Sequence, residues 1–250
     1  MKRAIFGKAT MATLLAALAA ACAPPATTPN RVSGVESAAV GWTRPPEIQS
    51  VQRVQASLVF TGNAEPGSRV VLRSDSGAAY AAAADARGRF EIRMAAPEGD
   101  LWLRPETQIG QDAAPSPDRL LIVGGGRGPI AILRTGGPTR RLDRAPALGA
   151  IDSDGRMRLA SGRTTGTAPV VVRAAGDSVR VAPDAEGRWS LMLRPADGGD
   201  EIQVGAGFFA WPGEAGSGPA PRVERAGQGW RVVWTGSGGA RQSTWLPDTV

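Results

Sequence analysis

The chain has 250 residues, with 29 basic and 23 acidic side chains, a formal charge of +6, no histidine and a single cysteine. Without histidine there is no Ser-His-Asp or Cys-His nucleophile pair and no imidazole metal ligand, and one cysteine forbids an internal disulfide. Lysine occurs only at Lys2 and Lys8, so Ser-Lys and Schiff-base chemistry are excluded downstream, leaving carboxylate pairs or a hard cation on oxygen ligands.

The first segment, 1–21, carries Lys2, Arg3 and Lys8, then an apolar run from Met11 to Ala21 that includes Leu14, Leu15 and Leu18. It is too short to span a bilayer and ends in Ala19-Ala20-Ala21-Cys22 followed by prolines, which is the layout of a removed signal peptide. This segment resembles a bacterial lipoprotein signal with its lipobox, although Ala19 stands where that family more often has Leu. The resemblance implies lipidation at Cys22, a mature chain that begins there, and attachment to a membrane through acyl chains, each buried methylene contributing about 0.8 kcal/mol. Ala23, where an inner-membrane retention signal would have Asp, implies transfer to the outer membrane of a bacterial cell envelope. An ordinary secreted protein cut a few residues later is the alternative. Loss of Lys2, Arg3 and Lys8 from the 29 basic residues leaves 26 arginines against 23 acids. That surplus is spread along the chain, which does not make a nucleic-acid groove.

Residues 22–44 open Ala-Pro-Pro-Ala-Thr-Thr-Pro after the cysteine, and their low hydrophobicity predicts a disordered tether. Fully extended, its 22 residues beyond Cys22 reach almost 70 Å at about 3.1 Å per residue. Beyond it the chain repeats with a shift of close to 100 residues. Pro46, Ile48 and Val51 recur as Pro146, Leu148 and Ile151, and Val70-Val71-Leu72-Arg73 recurs as Val170-Val171-Val172-Arg173. The clearest match is Asp85-Ala86-Arg87-Gly88-Arg89-Phe90 with Asp184-Ala185-Glu186-Gly187-Arg188-Trp189. Tandem duplication predicts domains at 45–138 and 146–250 with a short arginine-rich linker at 139–145.

Each copy reads as all-β, with short apolar or alternating runs between turns rich in Gly, Asp and Pro. From Arg89 to Met94 the apolar Phe90, Ile92 and Met94 alternate with Arg89, Glu91 and Arg93, which sends one face to a core and the other to solvent. Phe90 and Trp189 are thus equivalent core anchors. In the Asp-Ala-x-Gly-Arg segment, Asp can accept from backbone amides and Gly can supply a positive φ, so a rigid hairpin corner is expected twice. With Gly62, the Glu65-Pro66-Gly67 turn and Val70-Val71-Leu72, the segment resembles the bacterial Ig-like modules of cell-envelope proteins. That resemblance implies two tandem Ig-like β-sandwiches, and says little about a ligand.

Gly124-Gly125-Gly126-Arg127-Gly128 lacks the third glycine of a dinucleotide loop, having Pro129 there, and reads as a turn between strands. Asp152-Ser153-Asp154-Gly155 lacks the closing acid of an EF-hand and reads as a polar turn. Hydrolysis by a carboxylate pair needs two acids across a cleft, and a duplicated sandwich offers no obvious groove. Trp189 belongs to a core and Trp230, Val232 and Trp234 alternate along one strand, whereas Trp42, Trp102, Trp211 and Trp245 lack an assigned role. The cluster Phe208-Phe209-Ala210-Trp211-Pro212 has no analogue in the first copy, so Trp211 and Phe209 are the candidate binding residues, for a sugar ring or a partner's pocket.

The expectation is therefore a non-catalytic envelope lipoprotein whose Ig-like modules serve a structural, adhesive or scaffolding role, with an envelope protein or a glycan as partner. The alternatives are a carbohydrate- or peptidoglycan-binding lipoprotein and, third, a carboxylate-dependent glycan hydrolase. No catalytic residue, cofactor, metal or nucleic-acid partner is expected.

Overall fold

The computed structural model describes residues 43–194 and 200–249, so Cys22, the tether to residue 42 and Trp42 lie outside the described residues. In chain order the first copy supplies β1 (Glu47–Val54), β2 (Ser57–Asn63), β3 (Arg69–Ser74), β4 (Ala79–Ala83) and β5 (Arg89–Ala95). It continues with β6 (Leu101–Ile109), β7 (Asp112–Pro115), β8 (Arg119–Ile122), β9 (Ile130–Leu133) and β10 (Arg140–Arg141). The second supplies β11 (Ala150–Ser153), β12 (Arg158–Arg163), β13 (Val170–Ala174), β14 (Asp177–Val181) and β15 (Arg188–Leu193). After these come β16 (Glu201–Val204), β17 (Gly207–Ala210), β18 (Arg222–Arg225), β19 (Gly229–Thr235) and β20 (Arg241–Pro247). The described residues contain no α-helix, and a single 3₁₀ turn, Val123–Gly126, joins β8 to β9.

The strands form four antiparallel sheets, ordered β1-β2-β5, β10-β9-β8-β6-β3-β4 with β7 also on β6, β15-β12-β11-β20-β19-β18, and β14-β13-β16-β17. The first two close over Leu58, Phe60, Leu72, Phe90, Leu103 and Leu120. The last two close over Trp189, Val172, Ile202, Val204 and Trp245. These are two all-β, Ig-like sandwiches. Period-two alternation makes each one: β5 is buried at Phe90, Ile92 and Met94 and exposed between them.

A third core lies between the two sandwiches. Leu121 and Val123, with Ala131 and Leu133 of β9, pack against Ala150, Val232, Trp234 and Leu246, all fully or almost fully buried. β8 and β9 are consequently apolar on both faces, Leu120, Ile122, Ile130 and Ile132 turning to the first core and their neighbours to the third. The described strands thus stack as four sheets with an apolar cluster at each of three interfaces. The segment expected as a linker contributes to it: Arg140 and Arg141 pair with Ile132 and Ala131. Arg141, only 4% exposed, donates to Gly149 O and Pro247 O of the second copy, each at 3.0 Å.

The two Asp-Ala-x-Gly-Arg corners match bond by bond. Asp85 Oδ1 accepts from the amides of Arg87 and Arg89 at 2.8 and 2.9 Å, and Asp184 Oδ1 accepts from those of Glu186 and Arg188 at 3.0 and 2.8 Å. Gly88 and Gly187 follow at φ +78° and +76°, the left-handed region that only glycine enters freely. Opposite Phe90 and Trp189 stand Gly62 and Gly162. The copies diverge in their last three strands: β8-β9-β10 extend the sheet of β6 and β3, whereas β18-β19-β20 join β11 and so extend the opposite sheet.

Candidate functional site

The two candidate binding residues are inside the protein. Phe209 is 8% exposed and Trp211 4%, both in the core of the second sandwich. Trp211 already stacks on a cation, with the guanidinium carbon of Arg158 lying 4.4 Å from its ring centroid. Counted from the paired glycines Gly62 and Gly162, Arg158 occupies the position held by the fully buried Leu58 in the first copy. A charge there needs compensation. Asp200 provides it, accepting from Arg158 Nη1 at 2.7 Å, together with Arg194 O and the Trp211 ring. The aromatic cluster without an analogue in copy one is therefore the counterpart of an arginine without an analogue in copy one. A sugar ring finds no open Trp211 face, which corrects the expectation that Trp211 and Phe209 present binding surface. Phe208, on the opposite side of the same strand, is the exposed aromatic, at 61%. The other tryptophans among the described residues are similarly accounted for: Trp189 and Trp245 are in the second sandwich, and Trp102, Trp230 and Trp234 pack in the third core.

The carboxylates of Asp152-Ser153-Asp154 do not converge. Asp152 accepts from the Thr139 amide at 2.7 Å, Thr139 Oγ1 at 2.6 Å and Thr244 Oγ1 at 2.7 Å. Asp154 instead accepts from the amides of Arg156 and Met157, each at 2.8 Å. Burial pushes the Asp152 carboxyl above the ordinary carboxylate range, against the opposing hydrogen bonds from Thr139 and Thr244. The residue ties the segment before β10 to β11 and β20. Among the described residues no group of three or more acids or cysteines is placed to hold a metal ion.

A groove is present where none was expected. At the junction of the two copies a cleft of 1410 Å³ opens between β1, β10 and the Ser116–Arg119 loop on one side and β12 and β15 on the other. Arg119, Arg134 and Arg140 line the first wall, Arg163 and Arg188 the second, and Arg144 the connecting segment. Arg163 and Arg188 stand directly opposite each other across the β12/β15 ladder, a pairing of like charges that a sheet disfavours. In the first copy Asn63 faces Arg89 at the corresponding place. Arg140 is pushed below the ordinary guanidinium range, first by burial, against Glu47, and then by the positive charges of Arg188 and Arg134.

The carboxylates in the cleft are each engaged by an arginine. Glu47 meets Arg140 at 3.3 Å, Asp118 meets Arg134 at 3.4 Å, and Asp143 meets Arg141 at 2.5 Å. Asp184 and Glu186 hold Arg188 at 2.8 and 2.6 Å. The side-chain hydrogen bond from Arg188, reinforced by its backbone amide, holds Asp184 below the ordinary carboxylate range. A general acid for glycoside cleavage needs the opposite shift. Arg144 and Arg163 are in no ion pair among the described residues, Arg163 donating only to Glu186 O at 3.1 Å. The residues lining it include Trp189, whose buried indole N–H has no acceptor among the described residues. Sequence reasoning missed this cleft because it is formed between copies, from segments spread along the chain between Pro45 and Ser190. The one legible sign was arginine density in 139–145.

No protein-family model matches the chain, and no curated protein matches it. Among solved structures it is similar to a biofilm-associated protein BSP domain at 11% identity and TM-score 0.23, over 64% of this chain and 26% of that one. It is also similar to a Ca²⁺-stabilised adhesin with which an Antarctic bacterium binds ice, at 13% identity and TM-score 0.24, over 83% of this chain and 49% of that one. The chain thus spans about a quarter and about half of the length of these two structures, and its fold description rests on its own sheets.

Proposed function

We propose that this chain is a non-catalytic protein of the bacterial cell envelope, anchored through lipid on Cys22, which displays two fused Ig-like sandwiches as an adhesive or scaffolding surface. The observation that carries this reading is the third core. Packing of Leu121, Ala131 and Leu133 against Val232, Trp234 and Leu246 joins the two halves into one body, which suits holding a partner at a fixed place more than opening and closing around a substrate. The absence of histidine from the whole chain and of lysine beyond Lys8, and the engagement of the cleft carboxylates by arginines, support a role without catalysis. The signal-like segment and the proline-containing stretch before residue 44 supply the anchor and the reach.

Labelled palmitate should enter the full chain in a bacterial host and be lost in Cys22→Ser. Continued labelling of that variant would refute the anchor. Crosslinking in intact cells should trap an envelope partner on the sandwich surface, and a protein recovered free of any crosslink would count against the scaffolding role.

A further inference from the structure

We propose that the cleft at the junction of the two sandwiches binds an extended acidic polypeptide segment, its carboxylates engaging Arg144 and Arg163, the exposed cleft arginines that are in no ion pair among the described residues. This rests on the scaffolding reading and names the chemistry of its partner. The first ground is charge. Arg163 is opposed by Arg188 where the first copy has Asn63 opposite Arg89; Arg188 is held by Asp184 and Glu186, so Arg163 is a guanidinium that the second copy adds to the wall without a carboxylate of its own among the described residues. An arriving carboxylate supplies that partner, because a guanidinium offers paired donors in a plane that matches a carboxylate. Arg144 is exposed and without an ion pair among the described residues, so its donors are open to a ligand.

The second ground is shape. The cleft, at 1410 Å³, is larger than the about 300–1,000 Å³ of small-molecule sites, which favours a chain over a metabolite. Pro45, Pro46, Pro105, Pro117, Pro138 and Pro183 line it. Their fixed φ angles keep the walls preformed and lower the ordering cost of binding. The third ground separates peptide from glycan. Trp189 is the aromatic residue among those lining the cleft and is only 4% exposed, so no ring face is offered for stacking on a pyranose.

The test is titration of the full chain in detergent with poly-L-glutamate, with polygalacturonate as the glycan arm and poly-L-lysine as the charge control. Poly-L-glutamate should bind saturably at low ionic strength. The double variant Arg144→Glu/Arg163→Glu should weaken it about tenfold or more. Arg69→Glu/Arg87→Glu makes the same change in net charge at two exposed arginines outside the cleft, and should change affinity by less than about twofold. Equal losses in the two double variants would reduce the effect to net charge and overturn the site. So would absence of saturable poly-L-glutamate binding. Tighter binding of polygalacturonate than of poly-L-glutamate would overturn the peptide assignment. Circular dichroism of both variants confirms that they are folded, since all four arginines are exposed. Palmitate labelling does not depend on the cleft, so failure of the anchor and failure of this site are separate results.

Discussion

Gly162 sits where three parts of the second sandwich meet. A Cβ there would lie 2.0 Å from Ala147 O and 2.8 Å from Trp189 Cζ2, and one at Gly62 would lie 2.1 Å from Glu47 O and 2.8 Å from Phe90 Cζ. Backbone cannot move aside as a flexible side chain can, so Gly162→Ala should lower stability by about 2 kcal/mol or more, read as a lower denaturation midpoint. A change of under about 0.5 kcal/mol would show that β11 can shift away. Acidity at single residues gives a second expectation, with opposite signs at two sites. Asp152 has a raised folded pKa, so its contribution to stability is full below the ordinary value of 3.8 and is lost as pH rises through the raised value. Asp85 is held below that range by hydrogen bonds from the Arg89 and Arg87 amides and the Arg89 guanidinium. Its contribution is present above 3.8 and lost as pH falls through the depressed value. Relative to Asp152→Asn the parent should lose stability as pH rises above 3.8, and relative to Asp85→Asn it should lose stability as pH falls below 3.8. Urea titrations across that interval would check both slopes, and parallel slopes would be inconsistent with these assignments.

Among the elements, β8 and β9 show what periodicity reads and what it leaves open. Leu120 to Val123 and Ile130 to Leu133 are continuous apolar runs, which fit strands buried on both faces as well as other buried segments. What covers the second face is not written in them. Its partner, the alternating Trp230, Val232 and Trp234 of β19, lies about 100 residues on, and one strand does not specify which sheet will meet it. By contrast β5, β15 and the Asp-Gly corners were legible, because alternation and turn chemistry act within a few residues. Arg158 was hidden for a related reason: its role at the position of Leu58 appears only once strand register is known. The chemistry around it predicts that Trp211→Ala will be costly, by about 3 kcal/mol or more, from a cavity and an arginine that loses its stacking partner. Arg158→Leu, which restores the first copy's residue type and removes the buried charge, should recover part of that loss in the Trp211→Ala background. Additive losses, read from urea midpoints, would mean that Arg158 and Trp211 do not support one another.

For the molecule as a whole the decisive quantity is the coupling between its two halves. Duplicated domains on a bare linker unfold independently, and interfaces between domains in one chain are ordinarily small and polar. Here the contact is an apolar core containing the almost fully buried Trp234 and Leu133, and it is reinforced by Arg141, which holds Gly149 O and Pro247 O, and by Asp152, which gathers Thr139 and Thr244. Unfolding either sandwich would expose the face that the other has buried. Calorimetry of the full chain should therefore show one cooperative transition. Ala131 faces the third core while its neighbours Ile130 and Ile132 face the first, so Ala131→Arg places a charge in the junction and leaves the first sandwich's own packing in place. A charge buried there without a partner costs about 3 kcal/mol or more, which opposes the contact between the halves, so the single transition should separate into two. The cleft spans the same junction, and poly-L-glutamate binding should fall in this variant even though every cleft arginine is retained. One transition in the variant, or two in the parent, would mean that the halves act independently and that the cleft is not held at a fixed width.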